Sequence, residues 1–388
     1  MKSKSFLILV PLLAALLQVT HCGKAVLAGG AITYYNADVY VPFINMSTSS
    51  SGEQYIGIIT AGISWDIAEK TATAISNRLT RTYGATRVEW LPFHPDNPDN
   101  GDICSGTSLN DKLNEMTGIY FNGGDTYGFI ECFFPNGEVT PALALIQERY
   151  NKSELAIMGV SAGVLIFQRA PYMFSRESWK TLANGPTFDK KGGFDLFSYG
   201  FLDVHFSERG REGRLIRMVT DQRQYSTLGF GIDQDTAIVI DGDSFEVVGT
   251  RGVYMIDVLR AVKGTGERFS VEGVKVNFLS KGDTYNLKEG RITVANYKRY
   301  LTGDLLNNEK VEDSFDIFGN SEFRNLTMNL FKSNASSTVY GYTIEDTPQF
   351  RVDFRKTENS LAFIGTFGGL EHLTLYSLEV DISCYQNC

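Results

Sequence analysis

An apolar run, Leu155-Ala156-Ile157-Met158, passes directly into Gly159-Val160-Ser161-Ala162-Gly163, and a helical apolar pattern begins at Val164. Few architectures accommodate a strand that turns this sharply into a helix, and it is the setting a nucleophilic serine requires. The flanking glycines let the chain bend and lift the Ser161 hydroxyl clear of the backbone. The N–H of Ala162 then points toward a developing oxyanion. A tight turn with an ordinary serine has the same local pattern, so the rest of the chain has to discriminate.

Strand and helix alternate over the first two-thirds. Residues 54–62, QYIGIITAG, form an apolar run without polar alternation, as in a parallel strand covered on both faces. Ala68, Ala72, Ile75 and Leu79 then recur at helical spacing, with Gly84 as a stop signal. Residues 87–93 and 118–121 read as further strands, the second ending in Asn122-Gly123-Gly124-Asp125; a helix pattern covers 140–150. This order predicts an α/β fold: a doubly wound, mostly parallel sheet sandwiched by helices. Sites in such folds form beyond the C-terminal ends of strands, where Gly124 and Ser161 both fall. From about Leu228 the runs LGFGID, TAIVID, SFEVVG and VYMID are short strands separated by turn residues, which predicts antiparallel hairpins and a β-rich C-terminal extension.

The N-terminus reads as a secretory signal: Lys2 and Lys4, an apolar stretch at 6–17, then small residues placing cleavage after Ala25, with Cys22 as the alternative. The expected organisation is a signal at 1–25, a catalytic domain at 26–290 and a β-rich segment at 291–388. Sequons at Asn45, Asn151, Asn325 and Asn334 fit a secreted, extracellular glycoprotein with sugars on exposed loops. Cys104, Cys132, Cys384 and Cys388 permit three disulfide pairings and show no zinc spacing, so neither a metal nor another cofactor is expected. A net charge of −9 argues against nucleic acid as a partner, and no membrane association is expected once the signal is removed. Oligomeric state is left open, a homodimer included.

A serine nucleophile needs a base, and the chain has four histidines. His21 falls in the signal, His94 in a Pro/Asp/Asn-rich loop and His372 in a C-terminal strand. His205 ends a short apolar run, GFLDVHF, immediately before a cationic stretch holding Arg209, Arg211 and Arg214. Asp203 and His205, two apart on a strand, would share a face. Beside a candidate base, the arginine run reads as a carboxylate pocket, since guanidinium forks match carboxylates bidentately. A solvated basic face is the ordinary alternative.

With these motifs in order (GGD at Gly123-Gly124-Asp125, G-x-S-A-G around Ser161, D-x-H-F-S-x-R-G-R-x-G-R from Asp203 to Arg214, and GIDQDTAIVID after them) the chain resembles the cyanophycinase-like serine peptidases of family S51. The resemblance covers roughly residues 24–287 and implies a class I glutamine-amidotransferase-like fold. It implies Ser161 as nucleophile, His205 as base, oxyanion N–H groups at Gly124 and Ala162, and a pocket lined by Asp125, Thr126, Asp203, Arg209, Arg211 and Arg214. Glu177 is the nearest acid for a third catalytic position. Cyanophycin-degrading members commonly carry glutamine after GGD, where this chain has Thr126, so a differently shaped site is expected.

The expected function is hydrolysis of aspartyl or isoaspartyl (β-aspartyl) peptide bonds through a Ser161 acyl-enzyme, with an acidic or aspartyl-containing peptide as substrate. Two alternatives stand beside it. A weak or inactive secreted matrix or binding protein would use the fold only as a scaffold. An α/β-hydrolase-type esterase would also carry G-x-S-x-G, but its histidine comes last and well separated from the nucleophile, unlike His205.

Overall fold

A computed structural model describes residues 23–169, 177–187 and 192–388. Strands in chain order are β1 (Lys24–Ala28), β2 (Tyr55–Ile59), β3 (Arg87–Leu91), β4 (Gly118–Phe121), β5 (Ala156–Val160), β6 (Phe201–Val204), β7 (Leu228–Ile232), β8 (Thr236–Asp241), β9 (Ser244–Gly249) and β10 (Gly252–Asp257). The first sheet is parallel in the order β3-β2-β4-β5-β1, then continues antiparallel through β8 and β9 to the hairpin Thr284–Asn286 and Arg291–Thr293. Of the parallel strands, β1, β2, β4 and β5 are buried almost throughout, as their apolar sequences require, while β3, at the sheet edge with the sequence RVEWL, is largely not.

One face of this sheet is covered by the helices Ala37–Met46 and Trp65–Asn77, through Val39, Tyr40, Phe43, Ala72 and Ile75. The other face packs onto a second sheet, joining Leu27, Phe121 and Ile157 to Phe230, Ile232, Val253 and Met255 in one core. The α/β architecture is therefore as expected, but the doubly wound part is a five-stranded core backed on one side by strands as well as helices.

The second sheet runs β6-β7-β10, then Val271–Ser280, Leu370–Gln386, Leu361–Phe367 and Arg299–Tyr300. Only β6 and β7 pair in parallel. The four runs after Leu228 are strands, yet they are not successive hairpins. β8 and β9 pair with each other and belong to the first sheet; β7 and β10 pair across them in the second. The boundary expected at residue 290 does not divide the molecule. Residues 271–280 pair with 370–386, and the hairpin ending at Thr293 extends the first sheet. The C-terminal part is strand-rich and shares a sheet with β6, β7 and β10.

The expected start of the folded chain also moves. Lys24 and Ala25 lie in β1, a central strand between β5 and β8, so a cut after Ala25 would remove two of its residues. A cut after Cys22 leaves the strand whole. The rest of the expected signal lies outside the described residues. Disulfides join Cys104 to Cys132 and Cys384 to Cys388. All four sequon asparagines are exposed, but Asn45, Asn151 and Asn325 lie on helices rather than loops. Among the described residues no helix is long and apolar enough to cross a membrane.

Candidate active site

β1, β2, β4, β5 and β6 all deliver loops to one edge of the molecule, the edge at their C-terminal ends. Ser161 follows β5. Its backbone sits at φ 55°, ψ −119°, a conformation a non-glycine residue adopts only when its surroundings impose it. The constraint is visible: the Ser161 N–H donates to the Ala28 carbonyl at 2.9 Å, and the Ser161 carbonyl accepts from Val164 N–H at 2.9 Å. The helix that follows, Ala162–Leu165, is a single turn starting two residues earlier than the apolar pattern indicated.

His205 follows β6 in the other sheet and also has positive φ, 46°. Its N–H donates to the Gly29 carbonyl at 2.8 Å, which ties the second sheet to the end of β1. This break in the strand corrects the expectation that Asp203 and His205 share a face. Asp203 turns into the protein, whereas the His205 ring turns to Ser161, with Nε2 2.8 Å from Oγ. Gly30, at φ 102°, passes beneath the ring so closely that a Cβ there would lie 2.3 Å from His205 Cε1.

On the ring's far side, Nδ1 lies 2.9 Å from Nε2 of Gln234. Gln234 occupies the bend where the chain crosses from β7 to β8, its backbone N–H donating to Glu208 Oε2 at 3.1 Å. Burial pushes the imidazole down to about 4, the charges of Arg209 and Arg211 push the same way, and Asp203 opposes them. The ring is neutral over the physiological range.

Glu177, the acid expected as third catalytic member, is not the residue at His205. It is exposed and paired with Lys180 at 3.0 Å. Gln234 was missed although GIDQDTAIVID was recognised as a strand pair; the polar residue between its two strands was the available signal.

The arginine run divides. Asp203 is fully buried, and its carboxylate accepts from Arg214 Nε at 2.7 Å, again from Arg214 Nη2, and from Arg211 Nη1 at 3.4 Å. Arg211 and Arg214 are only 6% and 3% exposed. Burial raises the Asp203 pKa, but the two guanidinium groups outweigh it and hold the carboxyl below its ordinary range. The expectation of a substrate-binding Asp203, Arg211 and Arg214 is therefore corrected. They form an internal charge cluster that braces the strand end before His205. Arg209 alone of the three is exposed.

Gly123 and Gly124 form the loop facing Ser161. A Cβ at Gly123 would lie 3.6 Å from Ser161 Oγ; Gly124 has φ 132°, and a Cβ there would collide with the Gly62 carbonyl. Asp125 caps the helix Thr126–Phe133, accepting from Tyr127 N–H at 3.0 Å. Thr126 is 2% exposed and packs inside that first turn, so its expected contact with substrate is corrected as well. Exposed Tyr127 takes the outward position. With Asp125, Gly62, His94 and Glu131 it lines a groove of about 410 Å³ beside the glycine loop. His94 itself is buried, with Nε2 2.7 Å from the Ile63 carbonyl and Nδ1 accepting from Asp96 N–H. Among the described residues no group of His, Cys, Asp and Glu is arranged to hold a metal ion.

A serine held in a strained turn, hydrogen-bonded to a neutral histidine at the strand ends of an α/β fold, defines a serine-type hydrolase. Residues 32–248, more than half of the chain, match the family model of peptidase family S51, and the chain belongs to that family of serine-type peptidases. It is 25% identical to the cyanophycinase of Trichormus variabilis over 288 residues, covering 72% of this chain and 90% of that protein. It is 26% identical to the cyanophycinase of Synechococcus elongatus over 189 residues, covering 47% and 56%. A peptidase from an acI-B1 Actinobacterium aligns in structure with a TM-score of 0.49 at 18% identity, over 69% of this chain and 98% of that one.

Proposed function

We propose that the chain is a secreted serine peptidase that hydrolyses aspartyl or isoaspartyl peptide bonds through an acyl-enzyme on Ser161. The observation that carries the reading is the 2.8 Å contact between Ser161 Oγ and His205 Nε2, made by two residues from different sheets that both have positive φ. In the reaction Ser161 Oγ attacks the scissile carbonyl and its proton passes to His205 Nε2. The oxyanion of the tetrahedral intermediate faces the N–H groups of Gly124 and Ala162. Collapse expels the amine, which takes the proton from Nε2. Water then repeats the sequence on the acyl group and releases Ser161. Arg209 is exposed, its charge acts on the base, and it is assigned to the substrate carboxylate. The aspartyl preference draws support from the cyanophycinase relatives. Secretion draws support from the N-terminal sequence, the exposed sequons and the two disulfides.

The test is long incubation of purified secreted protein with α- and β-aspartyl dipeptides, cyanophycin and neutral esters, with Ser161→Ala as control. The reading expects aspartyl products from the wild type and none from Ser161→Ala. Neutral esters turned over as fast as acidic peptides would favour an esterase. No turnover of any substrate would leave a binding scaffold.

A further inference from the structure

A base that accepts the serine proton must present a bare Nε2 and carry its own proton on Nδ1, where an acceptor holds it. The atom placed against Nδ1 here is an amide nitrogen, Gln234 Nε2, at 2.9 Å. An amide NH₂ only donates. With the amide in this orientation Nδ1 is the acceptor, and the single proton of the neutral ring belongs on Nε2, pointing at Ser161 Oγ. Nothing in this arrangement draws the hydroxyl proton off Ser161.

The backbone of Gln234 is fixed from both sides. Its N–H is held by Glu208, which is ion-paired with Arg251, and its carbonyl accepts from Thr236 Oγ1 at 3.2 Å. The charged groups around the ring do not replace the missing carboxylate. Asp203 is bracketed by Arg211 and Arg214, Glu208 is engaged by Arg251, and Arg209 adds a further positive charge. Rotation of the amide would bring Oε1 to Nδ1 and restore the productive tautomer. A neutral oxygen still stabilises the imidazolium of the transition state far less than a carboxylate does.

We propose that Gln234 is a positioning residue that holds His205 as the Nε2–H tautomer, so that the Ser161–His205 pair is assembled but idle in the resting protein and turns over slowly. The proposal rests on the reading of Ser161 and His205 as nucleophile and base. An isosteric change, Gln234→Glu, supplies the acceptor and the charge together.

Three measurements on the whole secreted protein test it. The ¹⁵N spectrum of the wild type, with His205 assigned by its loss in His205→Asn, should show the proton on Nε2 and a bare Nδ1. In Gln234→Glu the proton should move to Nδ1 and the titration midpoint of His205 should rise from about 4. Labelling of Ser161 by a fluorophosphonate should accelerate in Gln234→Glu by roughly 10²–10⁴-fold, the reverse of the loss when a triad acid becomes an amide. A wild-type Nδ1–H tautomer would overturn the proposal even if the variant failed to fold. Equal labelling rates in folded wild type and variant would overturn it while leaving Ser161 as the nucleophile. Labelling of neither form at Ser161 would overturn the nucleophile reading and the proposal with it, although the wild-type tautomer would still be observed.

Discussion

Gly30 is the position where a single methyl group should separate the two reacting side chains. A Cβ there lies 2.3 Å from Cε1 and 2.4 Å from Nε2 of His205. Ordinary carbon contacts begin near ~3.5 Å, so the ring of Gly30→Ala must retreat by about 1 Å. A retreat directed along the 2.8 Å Ser161–His205 contact would open it to roughly 3.8 Å, past the ~3.2 Å limit for proton transfer. A misplacement of that size costs on the order of 10²-fold in rate. Stability falls too. A non-glycine residue at φ 102° costs about 1–2 kcal/mol, and over-packing adds about 1–3 kcal/mol. The assay is the rate of Ser161 labelling by a fluorophosphonate, read by mass spectrometry at a temperature where the circular dichroism of the variant matches wild type. The Gln234→Glu background gives the widest range for measuring a loss. A folded Gly30→Ala protein that labels within about threefold of its parent would refute the claim that Gly30 sets the position of the base, since a ~1 Å retreat costs far more than that.

Arg214→Ala should destabilise the fold by about 3–5 kcal/mol in urea unfolding, because Asp203 would remain buried with the longer Arg211 contact as its ion pair and the Val204 N–H as its backbone donor; a loss below ~1 kcal/mol would mean Asp203 is compensated elsewhere. His205 and Asp233 should oppose each other as pH falls. The His205 pKa is lowered from 6.5 to about 4, so its contribution is present above pH 6.5 and lost as pH falls through 4. Burial, with Glu208 adding to it and Arg324 opposing, raises Asp233 from 3.8 to about 6, so its contribution is present below pH 3.8 and lost as pH rises through 6. Asp233→Asn should therefore lose stability more steeply than wild type between pH 6.5 and 4, by roughly 3 kcal/mol at about 1.4 kcal/mol per pKa unit; parallel stability curves would remove Asp233 as the counterweight. Thr126→Gln should lower stability by about 1–3 kcal/mol by over-packing the buried first turn of its helix, with no gain in cleavage of cyanophycin; a gain would show that the turn opens to substrate.

The residues legible in the sequence are those whose role is announced by their neighbours along the chain. Ser161 stands out because a strand, two glycines and a helix start must all lie within ten residues to build its turn. β2 and β5 stand out because a strand buried on both faces has no polar alternation. β1 did not, because the small residues that let it pack between β5 and β8 are also those of a signal cleavage site. The arginine run has no such local signature. Whether a guanidinium faces solvent or a buried carboxylate depends on how the helix Glu212–Asp221 lies over β6, and Asp203 settles it by turning inward at the residue before the strand ends.

The third position of the catalytic arrangement lies furthest from local reading. Glu177 has the charge and the place in the chain of a third member, yet the group at His205 Nδ1 is delivered by the crossover between two sheets, 29 residues beyond His205. That crossover brings Gly29, Gly30, His205 and Gln234 together: Gly29 N–H donates to the Thr236 carbonyl, Asp235 N–H to the Gly30 carbonyl, and His205 N–H to the Gly29 carbonyl. One hydrogen-bonded junction thus fixes the backbone under the base, the backbone beside it and the amide beyond it. Where geometry is held so firmly, the chemistry of the site turns on one atom type at residue 234. On the proposal made above, a carboxylate there would complete a working triad, and the amide leaves the same architecture waiting.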